Sequence, residues 1–143
     1  MTDELLIVAG VQHPLAKASK VTKMDLRRAD WLLREQGSGT REEVEALLLR
    51  YLSDLANTQQ IGSSEAIKNT LVQGIGVSCL SRWVVSDLLS SGRLVALEGV
   101  LPSLARQFYL VKHRDKFISQ GLAGAWEQCL EMGRDPKKKI PKK

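Results

Sequence analysis

Trp31-Leu32-Leu33-Arg34-Glu35-Gln36-Gly37-Ser38-Gly39-Thr40, followed by Val44, Leu47, Leu48, Tyr51, Leu52 and Leu55, decides the fold class. Three bulky apolar residues read as a strand, a turn rich in glycine and hydroxyls follows, and an apolar stripe at helical spacing marks the next element as an amphipathic helix. The same alternation runs through the rest of the chain. Leu5 to Ala9 is an unbroken apolar run, the pattern of a strand covered on both faces. Thr22 opens a short helix with Asp25 at the capping-box position. Thr58 to Ile61, Val77 to Leu80, Leu94 to Leu97 and Phe108 to Val111 read as further strands. Ser64 to Val72 is a helix that stops at Gly74, Trp83 to Leu89 one that ends near Gly92, and a last helix from Ser119 carries Leu122, Trp126, Cys129 and Leu130 along one side. Strands separated by helices imply right-handed crossovers, so the expected fold is α/β, a mostly parallel sheet flanked by helices.

Composition narrows the function. A chain of 143 residues fits one compact domain or two small lobes, and its 43% hydrophobic content argues against general disorder. The longest apolar run, Leu5 to Val11, is far short of the roughly 20 residues of a membrane span, and the acidic start, Met-Thr-Asp-Glu, does not resemble a secretory signal. Two cysteines, neither in a CxxC or Cys/His spacing, make no disulfide framework or zinc site. A soluble, cytoplasmic protein with no membrane partner, metal or cofactor is expected. The formal charge of +5 comes entirely from the end of the chain: Arg134 to Lys143 hold six bases and one acid, leaving fifteen of each elsewhere. The body therefore has no compositional basis for nucleic-acid binding. The basic tail is either a phosphate contact or a frayed, solvated terminus.

Two strand-to-helix junctions concentrate hydrogen-bond donors. At the first, Gly37 and Gly39 allow backbone angles and close approaches that a side chain would block, and Thr40 with Glu43 forms a capping-box pattern. Unpaired amides at such a helix start favour a small anion, with Ser38 and Thr40 adding hydroxyls. The second junction, Ile61-Gly62-Ser63-Ser64-Glu65, repeats the arrangement, and both turns belong at the carboxyl ends of strands, where ligands of α/β sheets bind. Ordinary capping demands the same residue types, and Glu42, Glu43 and Glu45 would oppose an anion unless they point away. No P-loop, GxGxxG or nucleophile elbow is present. His13 and His113 lack partners in sequence, Cys79 and Cys129 read as buried inert thiols, and Trp31, Trp83 and Trp126 read as core or lobe contacts. No catalytic residue is assigned.

Leu32 to Arg41, Ser63 to Lys68, Gly74 to Arg82, Ser91 to Val95 and Tyr109 to Asp115 are five motifs in one order. Together they resemble the effector-binding domain of LysR-type bacterial transcriptional regulators, over roughly Asp3 to Met132, and look most similar to the sulfur-assimilation (CysL-like) branch. The resemblance implies one lobe of a domain like type 2 periplasmic binding proteins: residues 1–112 as the second lobe, 113–133 as the closing segment and helix returning to the first lobe, and 134–143 as a basic tail. It also implies that the helix-turn-helix and most of the first lobe are absent, so that DNA is reached only through a segment this chain lacks. Carried over, Ser38, Gly39 and Thr40 match the turn that contacts a small-molecule or anion effector, and Ser63 and Ser64 match its neighbour. With half the cleft, effector binding by this chain is expected to be weak or undetectable. The apolar side of the last helix, Leu122, Trp126 and Leu130, is expected to pack on its own lobe or against another copy, making self-association a further expectation. Two rival classes are a stand-alone small-anion-binding protein and a small α/β enzyme acting on a phosphorylated substrate.

Overall fold

A computed structural model of the chain describes residues 2–134; the basic stretch from Asp135 onward lies outside the described residues. The elements run β1 (Thr2–Gly10), α1 (Pro14–Lys17), α2 (Lys23–Arg28), β2 (Asp30–Leu33), α3 (Gly39–Leu52), β3 (Asn57–Gln60), α4 (Ser64–Val72), β4 (Val77–Ser81), α5 (Arg82–Ser90), β5 (Leu94–Ala96), β6 (Leu104–Gln107) and α6 (Gln120–Arg134). The chain divides into two compact units, Glu4–Leu104 and a second that joins Met1–Asp3 to Ala105–Lys143.

The larger unit is built on the strand order β3-β2-β4-β1-β5. β2 pairs in parallel with β3 and with β4, whereas β1 runs antiparallel to both β4 and β5. The α/β class is as expected, but the sheet is mixed rather than uniformly wound: β3, β2, β4 and β5 share a direction and β1 opposes them. β1 reaches β2 through the short helices α1 and α2, and β4 lies between the two strands in the sheet. With β1 reversed, its start, at Glu4 and Leu5, sits at the same sheet edge as the carboxyl ends of the other strands, with Leu5 paired to Ser81.

Each face of the sheet carries its own core. Leu5, Ile7 and Ala9 point to one, with Trp31, Leu33, Val44, Leu48 and Leu52, and Leu6 and Val8 point to the other, with Leu32, Ile67, Leu71, Val85 and Leu88. The apolar run of β1 is thus covered on both sides, as its composition requires. β3 lies at the edge, and its sequence Asn-Thr-Gln-Gln is exposed throughout, as suits a strand with one free side. Two buried polar groups are satisfied within the layers: the Trp31 indole N–H donates to the Leu26 carbonyl at 2.7 Å, and the Ser78 hydroxyl donates to the Leu32 carbonyl at 2.6 Å. The expected capping box forms at α2, where the Asp25 amide donates to Thr22 Oγ1 at 3.2 Å and the Thr22 amide donates to Asp25 Oδ2 at 2.8 Å.

The smaller unit holds Ala105–Gln107 of β6 and α6. Here Arg106 donates through Nε to Asp3 Oδ2 at 2.8 Å, its guanidinium lies 4.7 Å from the Phe108 ring centroid, and the Lys112 ammonium lies 5.4 Å from that of Trp126. Ser119 precedes α6 and accepts the Leu122 amide at 3.3 Å through its hydroxyl.

Four expectations need correction. The strand expected at Phe108 to Val111 is not formed; β6 occupies Leu104–Gln107, and the four apolar residues after it are exposed, so the burial that an unbroken apolar run presupposes is missing. Leu55 lies beyond the end of α3, half-buried against the core, rather than on the helix. Trp83 is exposed because α5 buries Val85 and Leu88, and a residue two positions before Val85 faces the opposite side of the helix. Cys129 is exposed, on a helix whose Leu122, Leu130 and Met132 are exposed too, whereas Cys79 is buried as expected.

Two predictions follow from this packing. A Cβ at Gly10 would collide with the Leu71 carbonyl oxygen and come within 3.1 Å of Gly74 Cα, both backbone atoms that cannot swing aside. Gly10→Ala is therefore expected to lower the urea-unfolding free energy by about 3 kcal/mol, and a near-neutral result would contradict this packing of β1 against the end of α4. His13 caps α1 by accepting the Leu15 amide at Nδ1 (3.2 Å), and burial pushes its imidazole below the ordinary value despite the opposing pull of Asp30. The unfolded chain then binds this proton more readily than the folded one, so the contribution is full above the ordinary histidine range and is lost as pH falls through it. Between about pH 7.5 and about pH 5 the Tm of the wild type should fall further than that of His13→Asn, whose side chain caps without titrating.

Candidate functional site

The two donor-rich turns leave neighbouring parallel strands. Leu33 of β2 pairs with Gln60 of β3, and the Ile61 amide donates to the Leu33 carbonyl at 2.9 Å, so both turns emerge side by side at one sheet edge. Arg34 ties them together. Its Nη1 donates to Ser64 Oγ at 3.1 Å, while Nε and Nη2 grip the two oxygens of Glu35 at 2.7 and 2.8 Å. Those bonds from Arg34 hold the Glu35 carboxyl well below the usual range, at about 2. The Arg34 carbonyl accepts Arg41 Nη1 at 3.0 Å, and Arg41 Nη2 pairs with Glu45 Oε1 at 2.6 Å.

Helix α3 starts two residues earlier than its sequence implied. Ser38 is the N-cap and Gly39 the first helical residue, so Thr40 lies inside the first turn and the expected Thr40–Glu43 capping box is not made. Ser38 accepts the Glu42 amide through its carbonyl (3.1 Å), but its hydroxyl caps nothing. By contrast, Thr22, Ser63 and Ser81 all cap their helices through the side chain. The Gly39, Thr40 and Arg41 amides, together with the Ser38 and Thr40 hydroxyls, make no hydrogen bond among the described residues. These are the unpaired donors that every helix start presents, and they attract negative charge.

Glycine serves two purposes here. Gly37 has φ +82°, a conformation that side-chain-bearing residues rarely adopt. Gly39 needs no such angle, and a Cβ there would meet nothing within 4 Å; its bareness leaves open space at the amides.

The structure thus gathers Ser38, Gly39, Thr40, Ser63 and Ser64 at one edge, with the hydroxyls already divided in use. Ser63 caps α4 by accepting the Ala66 amide at 3.4 Å, and Ser64 accepts from Arg34. Of the glutamates that threatened to repel an anion, Glu45 is neutralised by Arg41 while Glu42 and Glu43 are exposed. Arg34 and Arg41 are the residues that sequence reasoning missed. Each is accompanied by a nearby glutamate that offsets its charge; the i,i+4 spacing of Arg41 and Glu45 was the available signal. Arg41 is about nine-tenths buried, and its Nε is buried without a partner beside a gap, lined also by Leu33, Thr40, Val44 and Ser78, that is too narrow for water.

The same edge carries a groove of about 270 Å³ lined by Glu4, Arg82, Glu98, Pro102 and Ser103, among others. Glu4 accepts there from Arg82 Nη2 at 2.8 Å and from the Ser103 hydroxyl at 3.2 Å. Among the described residues there is no group of three or more His, Cys, Asp and Glu able to hold a metal ion, and no helix is long and apolar enough to cross a membrane.

The structure is a mixed α/β sheet that presents amides, hydroxyls and arginines along one edge. The family model of the LysR substrate binding domain matches residues 1–134, and the chain belongs to that family. It is 42% identical over 129 residues to an uncharacterized HTH-type transcriptional regulator, YeiE, of Escherichia coli (strain K12), covering 90% of this chain and 44% of that protein. It is 34% identical over 115 residues to the RuBisCO operon transcriptional regulator of Acidithiobacillus ferrooxidans, covering 80% of this chain and 37% of that protein. The chain therefore spans less than half the length of these curated relatives, which are transcriptional regulators rather than enzymes. Among solved structures it is similar to the regulatory domain of Synechocystis PCC6803 CcmR in complex with 2-PG, with a TM-score of 0.81 and 26% identity, covering 95% of this chain and 65% of that one. The effector binding domain of QuiR in complex with shikimate shares the fold, with a TM-score of 0.75 and 20% identity over 98% of this chain and 64% of that one.

The two glycines at the turn should respond differently to alanine. Gly37→Ala is expected to lower the unfolding free energy by about 1 kcal/mol, because its φ is disfavoured for any L residue. Gly39→Ala should change it by less than about 0.5 kcal/mol, since the site is open and alanine favours the helix. Urea unfolding of both variants checks this, and the reverse order would mean that α3 begins elsewhere.

Proposed function

We propose that this chain is the effector-sensing part of a LysR-type transcriptional regulator and that it takes a small anion at the α3 start, with Ser38, Gly39, Thr40, Ser63 and Ser64 around it. The observation that carries this reading is the uncapped opening of α3, where three amides and two hydroxyls stay unpaired beside Arg34 and Arg41. Helix starts of this kind bind oxyanions through backbone N–H groups and the helix dipole. Under this reading residues 1–112 form the second lobe and 113–133 the segment that returns to the first. Readout of DNA belongs to the helix-turn-helix part of such a regulator, and its location is the cytoplasm. Self-association fits the same reading, because Leu122, Leu130 and Met132 of α6 are exposed apolar side chains.

The class of effector follows from the donors. A compact oxyanion matches them better than a large apolar ligand. 2-PG, present in the similar CcmR domain, and the sulfur oxyanions implied by resemblance to the sulfur-assimilation branch are the probes of choice. A small enzyme gains nothing from the geometry: His13 is occupied as a helix cap, and the His113 ring accepts the Asp115 amide at 3.2 Å.

Amide-resolved NMR titration of the 143-residue chain with 2-PG, sulfite, sulfate and thiosulfate tests the proposal. The expected result is weak, saturable binding in the millimolar range that moves the Gly39, Thr40, Arg41 and Ser64 amides by at least one probe. Saturable shifts confined to another part of the lobe, or none with any of the four, would refute the site.

A further inference from the structure

We infer that Arg34 selects the effector's chemical class, an anion with two oxygens on one centre, and that Glu35 is the chain's own occupant of that guanidinium when no effector is bound. This rests on the effector-sensing reading above and deepens it.

The argument starts from the shape of the pair. A guanidinium offers its N–H groups as a planar fork that fits two oxygens of one carboxylate, phosphate or sulfur oxyanion. In Arg34 the Nε–Nη2 edge of the fork is filled by both oxygens of Glu35, at 2.7 and 2.8 Å, and Nη1 is held by Ser64. An internal carboxylate therefore already sits where an external anion would dock. The pair does little for the fold, because it joins adjacent residues, and the two side chains keep 23% and 37% of their exposure. Its geometry is nevertheless held from two sides, by Ser64 on the neighbouring turn and by Arg41, which takes the Arg34 carbonyl.

A second feature points the same way. Arg41 lines the same narrow gap as Arg34 and Thr40, is about nine-tenths buried, and has an Nε with no partner. Its charge is matched by Glu45 and that of Arg34 by Glu35, so neither guanidinium is left unbalanced at rest. If Glu35 swings out to solvent, one positive charge is released beside the open amides of Gly39, Thr40 and Arg41. An arriving anion restores the balance, and the exchange is one carboxylate out for one anion in. Monodentate or neutral ligands gain nothing from the fork and cannot displace Glu35. Glu42 and Glu43, exposed and on the same helix turn, carry the same charge without occupying a guanidinium.

The experiment compares the full chain with Glu35→Gln, Arg34→Gln, Arg34→Lys and Glu42→Gln by amide-resolved titration with sulfate, inorganic phosphate and acetate. These three probes separate sulfur oxyanion, phosphate and carboxylate as the source of the oxygens. Glu35→Gln is expected to tighten binding of the preferred probe roughly fivefold, by removing both the competitor and its repulsion. Arg34→Gln should weaken binding by at least the same factor and erase the gain when combined with Glu35→Gln. Arg34→Lys, which keeps the charge but not the fork, should fall between wild type and Arg34→Gln. Glu42→Gln should gain less than about twofold, the effect of charge alone. Equal gains from Glu42→Gln and Glu35→Gln, or binding indifferent to Arg34, would overturn this inference while leaving an anion site in place. No binding to wild type or any variant would overturn the inference and the effector-sensing reading together. Thermal unfolding of each variant near the wild-type Tm shows that losses are local.

Discussion

Five consecutive apolar residues of β1, Leu5 to Ala9, divide their side chains between two cores, and the rest of the lobe is arranged around that division. Leu5, Ile7 and Ala9 meet the layer containing α3, and Leu6 and Val8 meet the layer containing α4 and α5. Because the side-chain period of a strand is two, a slip of one residue would exchange every contact between the layers. Pairing on both sides fixes the register, to Ser81, Leu80, Cys79, Ser78 and Val77 of β4 and to Ala96, Val95 and Leu94 of β5 and its flank. The close approach of Gly10 to α4 anchors the end of the strand.

The reversed direction of β1 has a structural consequence at the edge that carries the two donor-rich turns. A uniformly parallel sheet would put its amino end on the side away from the ligand turns. Here Glu4 joins Arg34, Ser64 and Arg82 on one edge, so that three arginine–glutamate pairs, Arg34–Glu35, Arg41–Glu45 and Arg82–Glu4, lie along it. Positive groups are thereby held ready at a rigid edge without leaving a bare charge to be solvated or buried. The strands set their spacing, and the carboxylates set their resting state. Under the proposed reading, an edge of this kind would discriminate by what can replace a carboxylate, a sharper criterion than positive charge alone.

The elements that could be read from the chain were those whose burial matched their pattern. The β1 run, the Trp31–Leu33 strand, the α3 stripe and the Thr22–Asp25 box all report local physics that the fold does not override. Phe108 to Val111 misled because an apolar run signals a strand only where something covers it, and these residues are exposed. The direction of β1 was illegible because strand direction is fixed by tertiary pairing with β4 and β5, which no local pattern reports. The positions of Ser38 to Thr40 and Ser63 to Ser64 could be read from turn chemistry, but the roles of Arg34 and Arg41 could not. A guanidinium's partner across a sheet edge is a tertiary fact, and an adjacent glutamate hides it in any count of charge.

The opening of α3 is where local rules and global fold part company. Serine is among the best N-cap residues, and forming its side-chain bond would satisfy one amide at no cost in packing. Ser38 occupies that position with extended backbone angles yet makes no such bond, while Ser63 and Ser81 at neighbouring helices do. The helix does not need the bond, because Val44, Leu48 and Leu52 are almost completely buried and hold it to the core. Stability supplied by packing frees the terminus from having to cap itself, and an unsatisfied start on a firmly packed helix is a stable place for external negative charge. An anion there would supply the missing cap for Gly39, Thr40 and Arg41, so binding would tighten the same segment that joins the two turns. Under the proposed function, the effector would contribute the hydrogen bonding that Ser38 leaves unmade.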